Sequence, residues 1–324
     1  MRPDVVKRPP NLTLQNFHGL VTRAPEMEPL FHRLPRIART DCTVLVRGES
    51  GSGKELVARA IHDLSPRRRG PFRAINCATL SPTLLESELF GHVRGAFTGA
   101  VRDHRGLFQQ ADKGTLFLDE VAEMSLDIQA RLLRVLEDRT FFPVGGTTPI
   151  TVDVRIISAS NKALRRAVAA GRFRDDLRYR LRVVPLFLPP LRQRTGDIEA
   201  LVWHFIDRFT EQGVGRIETV TRRAMDALRS YPWPGNVREL RNVIEHAFIV
   251  GEDALLDVDD LTPELRGEAP PDDEVPFEVP LQQLERERIL AALAKHNGRR
   301  APVAAELGMS RTTLWHKLRK YQLS

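Results

Sequence analysis

The feature that most constrains this chain is a glycine-rich loop between a predicted strand and a predicted helix. The strand is the apolar run TVLV at 43–46, and the helix covers 55–64. Glycines let backbone N–H groups converge on phosphate oxygens, and the helix N-terminus adds a favourable dipole. A lysine at the end of such a loop reaches the β- and γ-phosphates. We therefore predict a nucleotide-binding loop, with a plain glycine-rich turn as the alternative. Its members are Gly48, Glu49, Ser50, Gly51, Ser52, Gly53, Lys54 and Glu55.

Strand and helix patterns alternate through the first half of the chain. The runs at 72–75, 115–119 and 154–160 are apolar or β-branched, and 125–138 has helical periodicity. Strands that alternate with helices predict an α/β fold, in which a parallel sheet is covered by helices on both faces.

The pattern divides the chain into five segments. We expect a loose N-terminal arm at 1–17, an α/β unit at 18–189 and an all-helical unit at 190–266. The acidic, proline-rich stretch 267–280 is typical of a linker, and 281–324 is helical and basic.

Composition excludes several classes of protein. The 324 residues contain no signal region and no apolar run that approaches the length of a membrane span. The two cysteines, Cys42 and Cys77, have no metal-ligand spacing. We expect a cytoplasmic protein with no membrane insertion. The formal net charge of +7 favours polyanionic partners, although charge alone does not distinguish them from a solubilising surface.

Two carboxylates end the predicted strand at 115–119. In a parallel sheet, the carboxyl end of this strand lies at the same edge as the glycine-rich loop. Asp119 is suited to orient Mg2+ through the coordination shell of the ion, and Glu120 is suited to polarise an attacking water molecule. An acidic cap of a strand end is the alternative. Asn76 ends another predicted strand, where its amide either bonds Glu120 or only satisfies the strand end.

A second glycine-bounded segment carries an aromatic ring in polar surroundings. It comprises Gly95, Ala96, Phe97, Thr98, Gly99 and Ala100. Such a segment is either a mobile loop that presents Phe97 to a partner or a turn with one buried ring.

At this point the chain resembles a known family, the sigma-54-dependent transcription activators, which form the NtrC-like branch of the AAA+ ATPases. The resemblance rests on GESGSGKE, ELFGHVRGAFTGA, GTLFLDE, FRDDLRYRL, LPPLRQRTGDI and YPWPGNVREL, in that order. It implies an AAA+ P-loop fold with a helical lid, and ATP hydrolysis with Mg2+. It also implies that residues 95–100 contact sigma-54 and promoter DNA, and that glutamate at position 55 is usual.

The resemblance implies roles for further residues. Arg174 and Arg180 match arginines that reach the nucleotide of a neighbouring subunit, which implies a ring, usually a hexamer. Asn161 matches a polar sensor beside the γ-phosphate, Asn76 the amide that switches the catalytic glutamate, and Arg238 the sensor arginine of the lid. From the residues themselves, Asn236 is expected to cap the helix that contains Arg238.

The basic tail predicts a helix-turn-helix domain, because two short helical patterns flank the turn at 308–309. An oligomerisation bundle of three helices is the alternative. The tail resembles the Fis-type domain of the same family, which implies binding to enhancer DNA. The candidate DNA contacts are Arg299, Arg300, Arg311, Thr312, Thr313 and His316.

Fewer than about twenty residues precede the expected ATPase unit. We therefore expect control by a separate regulatory protein or by expression level, or else a chain trimmed of its sensor domain. Two rival functions remain: a DNA-binding regulator that only switches assembly with nucleotide, and another AAA+ machine such as a replication initiator.

Overall fold

The structure is a computed structural model that describes residues 4–9, 14–251 and 254–268, together with isolated positions between 292 and 309. The chain divides into two compact units, 1–266 and 267–324. In the second unit, Arg300 is an exposed helical residue. The other predicted DNA contacts, Arg299, Arg311, Thr312, Thr313 and His316, lie outside the described residues.

Unit 1 is built from short strands and helices. The strands are β1 (Val5–Val6), β2 (Gln15–Phe17), β3 (Leu20–Thr22), β4 (Val44–Arg47), β5 (Phe72–Asn76), β6 (Thr115–Asp119), β7 (Thr140–Phe141), β8 (Ile150–Thr151), β9 (Arg155–Ser160), β10 (Val184–Phe187), β11 (Thr219–Thr221) and β12 (Leu255–Leu256). The helices are α1 (Glu28–Ala38), α2 (Lys54–Asp63), α3 (Pro82–Phe90), α4 (Leu107–Gln110), α5 (Leu126–Asp138), α6 (Leu164–Ala169), α7 (Asp175–Leu181), α8 (Asp197–Glu211), α9 (Arg222–Ser230) and α10 (Asn236–Val250). Among the described residues, no helix is long and apolar enough to cross a bilayer.

The centre of the unit is a five-stranded sheet with the order β10-β4-β9-β6-β5. Every pairing within it is parallel, which confirms the predicted α/β fold. The alternating residues of β4 enter different cores: Val44 and Val46 pack on one face of the sheet, and Leu45 on the other. Burial on both faces explains why its sequence is continuously apolar.

Strand β10 is absent from the sequence-based prediction. It has four residues and contains Pro185, and proline usually argues against a strand. β10 lies at the edge of the sheet and pairs on one side only. A missing N–H group is tolerated there, because an edge strand needs fewer hydrogen bonds than a central strand. The edge position therefore makes the proline tolerable.

The lid, formed by α8, α9 and α10, packs around the buried indoles of Trp203 and Trp233. The prediction that residues 190–266 are entirely helical is wrong in detail, because β11 and β12 pair in parallel within this segment. These strands have three and two residues, too few for a strand periodicity to be visible.

The prediction of a loose N-terminal arm is also wrong for its described residues. β1 pairs antiparallel with β11, which places the arm at the edge of the small lid sheet. Asp4 accepts a hydrogen bond from Arg222 Nε at 2.6 Å, and Arg8 forms an ion pair with Asp207 at 2.9 Å. Partners so distant in sequence leave no local signal in the arm itself.

The arm should contribute to the stability of the lid. Val6 packs against the lid core, whereas the neighbouring Lys7 is exposed. We expect Val6→Ser to lower the free energy of unfolding by about 1 kcal/mol, because it removes a partly buried apolar side chain. Denaturant unfolding measures the change, with Lys7→Ser as the matched control. Equal effects of the two substitutions would show that the contact of Val6 with the lid is unimportant.

Candidate active site

The glycine-rich loop lies where the sequence predicts it, between the end of β4 and the start of α2. Gly51 has φ +72° and Gly53 has φ +104°, both in the left-handed region that glycine adopts without strain. A Cβ atom at Gly51 would lie 2.1 Å from the carbonyl oxygen of Gly235. Only glycine therefore fits at position 51, because the lid backbone just before α10 touches the loop there.

Lys54 lies within the mouth of this loop, with its side chain 5% exposed. Its ammonium group donates to the carbonyl oxygens of Gly48 at 3.2 Å and Glu49 at 3.3 Å. It also forms an ion pair with Glu120 Oε1 at 3.1 Å. The loop lysine and the predicted catalytic carboxylate are therefore in direct contact.

The two carboxylates stand side by side at the carboxyl end of β6. Glu120 has φ +51°, a left-handed conformation that costs energy in a residue with a side chain and that is frequent at functional sites. Its N–H group donates to Asp119 Oδ1 at 3.0 Å. Burial raises the pKa of Asp119, an effect that Lys54 opposes and the charge of Glu120 reinforces. This pair can hold a cation and accept a proton from water.

The two predicted asparagines have different partners in the structure. Asn161 donates its backbone N–H to Glu120 Oε2 at 3.0 Å. Asn76 lies opposite Asp119 in the sheet, but its side-chain oxygen accepts from Ala78 N at 2.9 Å. The Glu120 carboxylate bonds to Lys54 and Asn161 instead of Asn76, because a buried ammonium is a stronger partner than a neutral amide.

The start of α10 meets the loop, and here one sequence-based expectation is wrong. Asn236 does not cap this helix: it is the first helical residue, and its side chain turns toward the loop. Val237 N donates to the carbonyl oxygen of Gly51 at 3.1 Å, and Arg238 Nη1 bonds Ser50 Oγ at 3.2 Å. Arg238 thus lies beside the phosphate loop, as its predicted role requires.

Sequence reasoning missed two arginines between β10 and α8. Arg192 holds the Glu49 carboxylate through two bonds, at 2.6 and 2.8 Å. Arg194 is 4% exposed and donates to Ser52 O at 2.7 Å. Burial lowers the pKa of the Arg194 guanidinium. The arginine-rich string LRQR is the only signal in the sequence, and it does not indicate which loop it contacts.

A cavity of about 260 Å³ opens beside the loop. It lies between the β2–β3 hairpin, the phosphate loop and the lid, and its wall includes Leu20, Val21, Phe205 and Arg238. Apolar side chains with a few polar groups are typical of a site for a small organic ligand. The position of the cavity next to the loop is suited to the base and ribose of a nucleotide.

Arg174 and Arg180 lie on or beside α7, on the surface of the unit. Arg174 pairs with Asp176 at 2.8 Å, and Arg180 donates to the carbonyl oxygen of Leu136 at 3.2 Å. Both residues are exposed. In the described part of the chain, their hydrogen bonds do not include the phosphate loop, Asp119 or Glu120.

The segment 95–100 forms a surface loop. At Gly95 and Gly99, both in the left-handed region, an added Cβ atom would meet nothing within 4 Å. Thr98 is exposed, and the half-buried ring of Phe97 lies edge-on to His92 with 5.0 Å between centroids. Two backbone hydrogen bonds between His92 and His104, of 3.1 and 2.9 Å, close the base of the loop.

Three segments of the chain match known families. Residues 20–187 match the sigma-54 interaction domain, 192–276 the AAA+ ATPase lid domain, and 280–321 the Fis family of bacterial regulatory proteins. Fold and site thus define an AAA+ protein with a nucleotide-binding loop. The chain belongs to the family of sigma-54-dependent transcription activators and carries a Fis-type DNA-binding domain.

Individual relatives agree with this assignment. The chain is 45% identical to nitrogen fixation protein VnfA of Azotobacter vinelandii, over 94% of this chain and 59% of VnfA, so it spans little more than half of that protein. It is 44% identical to regulatory protein AtoC of Escherichia coli, over 93% of this chain and 67% of AtoC. The crystal structure of NtrX from Brucella abortus in complex with ADP has a TM-score of 0.71 and 37% identity, and the match covers 94% of this chain and 70% of NtrX.

Proposed function

We propose that this chain hydrolyses ATP as a ring oligomer, a hexamer by analogy with its family, and uses the energy to remodel sigma-54 RNA polymerase at promoters. The observation that carries the proposal is the contact between the loop lysine, Lys54, and the carboxylate of Glu120 at the mouth of the phosphate loop. The proposed functional units are the arm 1–17, an ATPase body at 18–189, a lid at 190–266, a linker at 267–280 and a DNA-binding domain at 281–324.

Glu120 is the proposed general base. In this structure its carboxylate is neutralised by Lys54 and held by the Asn161 N–H. When Lys54 turns to the phosphate oxygens of ATP, Glu120 loses its cation and becomes free to polarise a water molecule. Asn161 keeps the carboxylate oriented during this exchange, and Asn76, which lies opposite Asp119 in the sheet, is the proposed amide that replaces Lys54 as its partner.

Asp119 is the proposed residue for Mg2+. Its half-buried carboxylate lies beside Glu120 at the mouth of the loop. Burial disfavours the negative charge of this carboxylate, and a bound cation would compensate that charge. Hard oxygen donors of this kind suit Mg2+. When bound, Mg2+ neutralises charge on the phosphate oxygens. Glu55 is exposed on the first turn of α2 and takes no direct part in holding the cation in this proposal.

The position of the arginines supports the proposed ring. Arg174 and Arg180 are exposed and bond to groups outside their own phosphate loop. A guanidinium that stabilises the charge of the transition state must lie close to the γ-phosphate. We therefore assign these arginines to the site of a neighbouring subunit, which makes each site composite.

A mixing experiment tests the composite site. Arg174→Ala and Lys54→Ala should each abolish ATP turnover, whereas a 1:1 mixture should recover about a quarter of wild-type turnover in randomly assembled rings. Recovery occurs because an intact loop then lies beside an intact arginine at about one site in four. Turnover is measured by phosphate release, and Arg180→Ala is treated in the same way.

The matched control mixes Lys54→Ala with Glu120→Gln. Both changes damage the site of the same subunit, so this mixture should stay inactive. If the arginine mixture recovered no more activity than this control, the arginines would act within their own subunit and the shared-site proposal would be wrong.

Two parts of the chain support the proposed partners. We propose that residues 95–100 contact sigma-54, because the loop presents Phe97 and Thr98 at the surface. The tail is proposed to bind enhancer DNA through Arg299, Arg300, Arg311, Thr312, Thr313 and His316, with phosphate contacts from the arginines. A bacterial cytoplasm is the location that such partners require, and a separate regulatory protein acting in trans remains part of the proposal.

A further inference from the structure

Asn236 occupies an unusual position at the junction of the lid and the phosphate loop. It is completely buried and has φ +54°, although it is the first residue of α10. Only glycine and, less readily, asparagine or aspartate adopt this conformation at low cost. The conformation explains a small residue at position 236, but it does not explain a buried amide.

The amide joins three segments of the chain. Its oxygen accepts from Leu191 N at 2.8 Å, and its nitrogen donates to Ser50 O at 3.0 Å. The same nitrogen lies 3.2 Å from Glu49 Oε2 and 3.3 Å from Pro234 O. Asn236 thus links the phosphate loop, the connection between β10 and α8, and the first turn of α10.

Neighbouring donors continue this pattern along the loop. Ser50 O accepts from Asn236, Gly51 O from Val237 N at 3.1 Å, and Ser52 O from Arg194 at 2.7 Å. Three consecutive carbonyl groups are therefore held by the lid and by the segment that leads into it. In a planar trans peptide the C=O and the following N–H point in opposite directions. Fixing the carbonyls of Ser50 and Ser52 outward therefore directs the N–H groups of Gly51 and Gly53 to the opposite side, where phosphate binds, whereas Ser52 N donates to Glu49 O at 3.3 Å within the loop.

The carboxylate of Glu49 supports Asn236 from the other side. The guanidinium of Arg192 is the main cause that holds the pKa of Glu49 below its ordinary value, and Asn236 adds a smaller effect in the same direction. Glu49 is thus ionised at neutral pH and accepts from the amide. The backbone oxygen of Glu49 accepts from Lys54 within the loop, whereas its carboxylate accepts from Arg192 and Asn236.

We infer that Asn236 is a positioning residue that couples the orientation of the lid to the nucleotide affinity of the phosphate loop. The inference rests on the proposed function in one respect, because it takes ATP and ADP as the ligands of this loop. When the lid turns, the donors to the three carbonyl groups move away together. The loop N–H groups are then no longer directed at the phosphates. Asn236 touches no reacting atom, so it acts through the loop and not on the chemistry.

The test is Asn236→Gly in the full chain, because glycine keeps the left-handed backbone and removes only the amide. We expect the Kd for a fluorescent ADP analogue and the KM for ATP to rise about tenfold. The reason is that the buried hydrogen bonds of the Asn236 amide, which hold the loop in its binding conformation, are lost. Asn236→Asp should weaken binding further, because it places a carboxylate against Glu49. Adding Glu49→Gln should restore part of the affinity lost in Asn236→Asp, because the new amide can donate to the carboxylate.

The matched control is Lys113→Gly. Lys113 has φ +61° and a 74% exposed side chain, and its ion pair is with Asp153, away from the loop. This variant relieves the same backbone strain and should leave Kd unchanged. Unchanged Kd and KM in Asn236→Gly, with only a lower unfolding midpoint, would show that the residue is merely structural and would overturn the inference.

A second route keeps the test decisive if Asn236→Gly fails to fold. Arg192→Gln changes a 43% exposed side chain, removes the charge that holds Glu49, and should raise the Kd for the ADP analogue about threefold. An unchanged Kd in that variant would count against the coupling. Because equilibrium binding of ADP is the readout, absence of ATP turnover in the wild-type chain would refute the proposed hydrolysis without deciding the role of Asn236.

Discussion

Glu120→Gln should lower ATP turnover by about 10²- to 10⁴-fold while nucleotide binding is retained, because a neutral amide cannot accept a proton from the attacking water. The substitution preserves the shape of the side chain. It also removes the negative charge of Glu120, whose Oε1 lies 3.1 Å from Lys54 Nζ in the wild-type chain. The lysine should therefore be released to the phosphates, so that Kd for ATP stays the same or falls. Phosphate release and equilibrium binding of labelled ATP measure the two quantities separately.

Glu123→Gln is the matched control for this experiment. Glu123 lies three residues later and pairs with Lys162 at 2.6 Å on the surface. Its loss should leave turnover within about twofold of wild type, because an exposed ion pair contributes little. ATP turnover at the wild-type rate in Glu120→Gln would refute the assignment of Glu120 as general base, whatever the oligomeric state of the protein.

Thr98→Ala should lower open-complex formation with sigma-54 polymerase at least about tenfold while ATP turnover stays within about twofold. Thr98 is exposed in a loop whose two glycines have open space around them. The loss of its hydroxyl should therefore leave the folded subunit intact and remove only the proposed contact with sigma-54. Open complexes are counted by the reactivity of unpaired promoter bases, in parallel with phosphate release.

Val101→Ala is the control for the loop. Val101 is 80% exposed and lies immediately after the segment 95–100. A general effect of altering this surface would lower open complexes in both variants. Normal promoter opening by Thr98→Ala would show that the loop does not act on sigma-54 through this residue, and the proposed use of the ATPase would have to be revised.

Local patterns predicted the parts of the site that depend on chain neighbours. The glycine-rich loop needs only a strand, a turn and a helix in succession, and the loop containing Lys54 lies where these patterns place it. The carboxylates at 119 and 120 end a strand of a parallel sheet, and parallel strands bring their carboxyl ends to the same edge. The contact between Lys54 and Glu120 follows from that rule together with the right strand order.

Contacts between distant segments escaped prediction, because a side chain's sequence neighbourhood does not record its partner. Asn76 is not among these contacts, because its side chain satisfies its own strand end through Ala78 N, one of the two alternatives that the sequence left open. The arm was expected to be loose, yet Val5 and Val6 add a strand to the lid. Asn236 was expected to cap its helix, whereas its amide enters the phosphate loop.

The sequence by itself determined the α/β fold, the position of the phosphate loop and the identity of the candidate catalytic carboxylates. These features arise from spacing and periodicity along the chain, which the residues display directly. Only the tertiary structure decided how the lid reaches that loop, because three loop carbonyls find donors in segments more than a hundred residues away. Hydrogen bonds between such segments depend on how the body and the lid pack, and packing is a property of the whole fold.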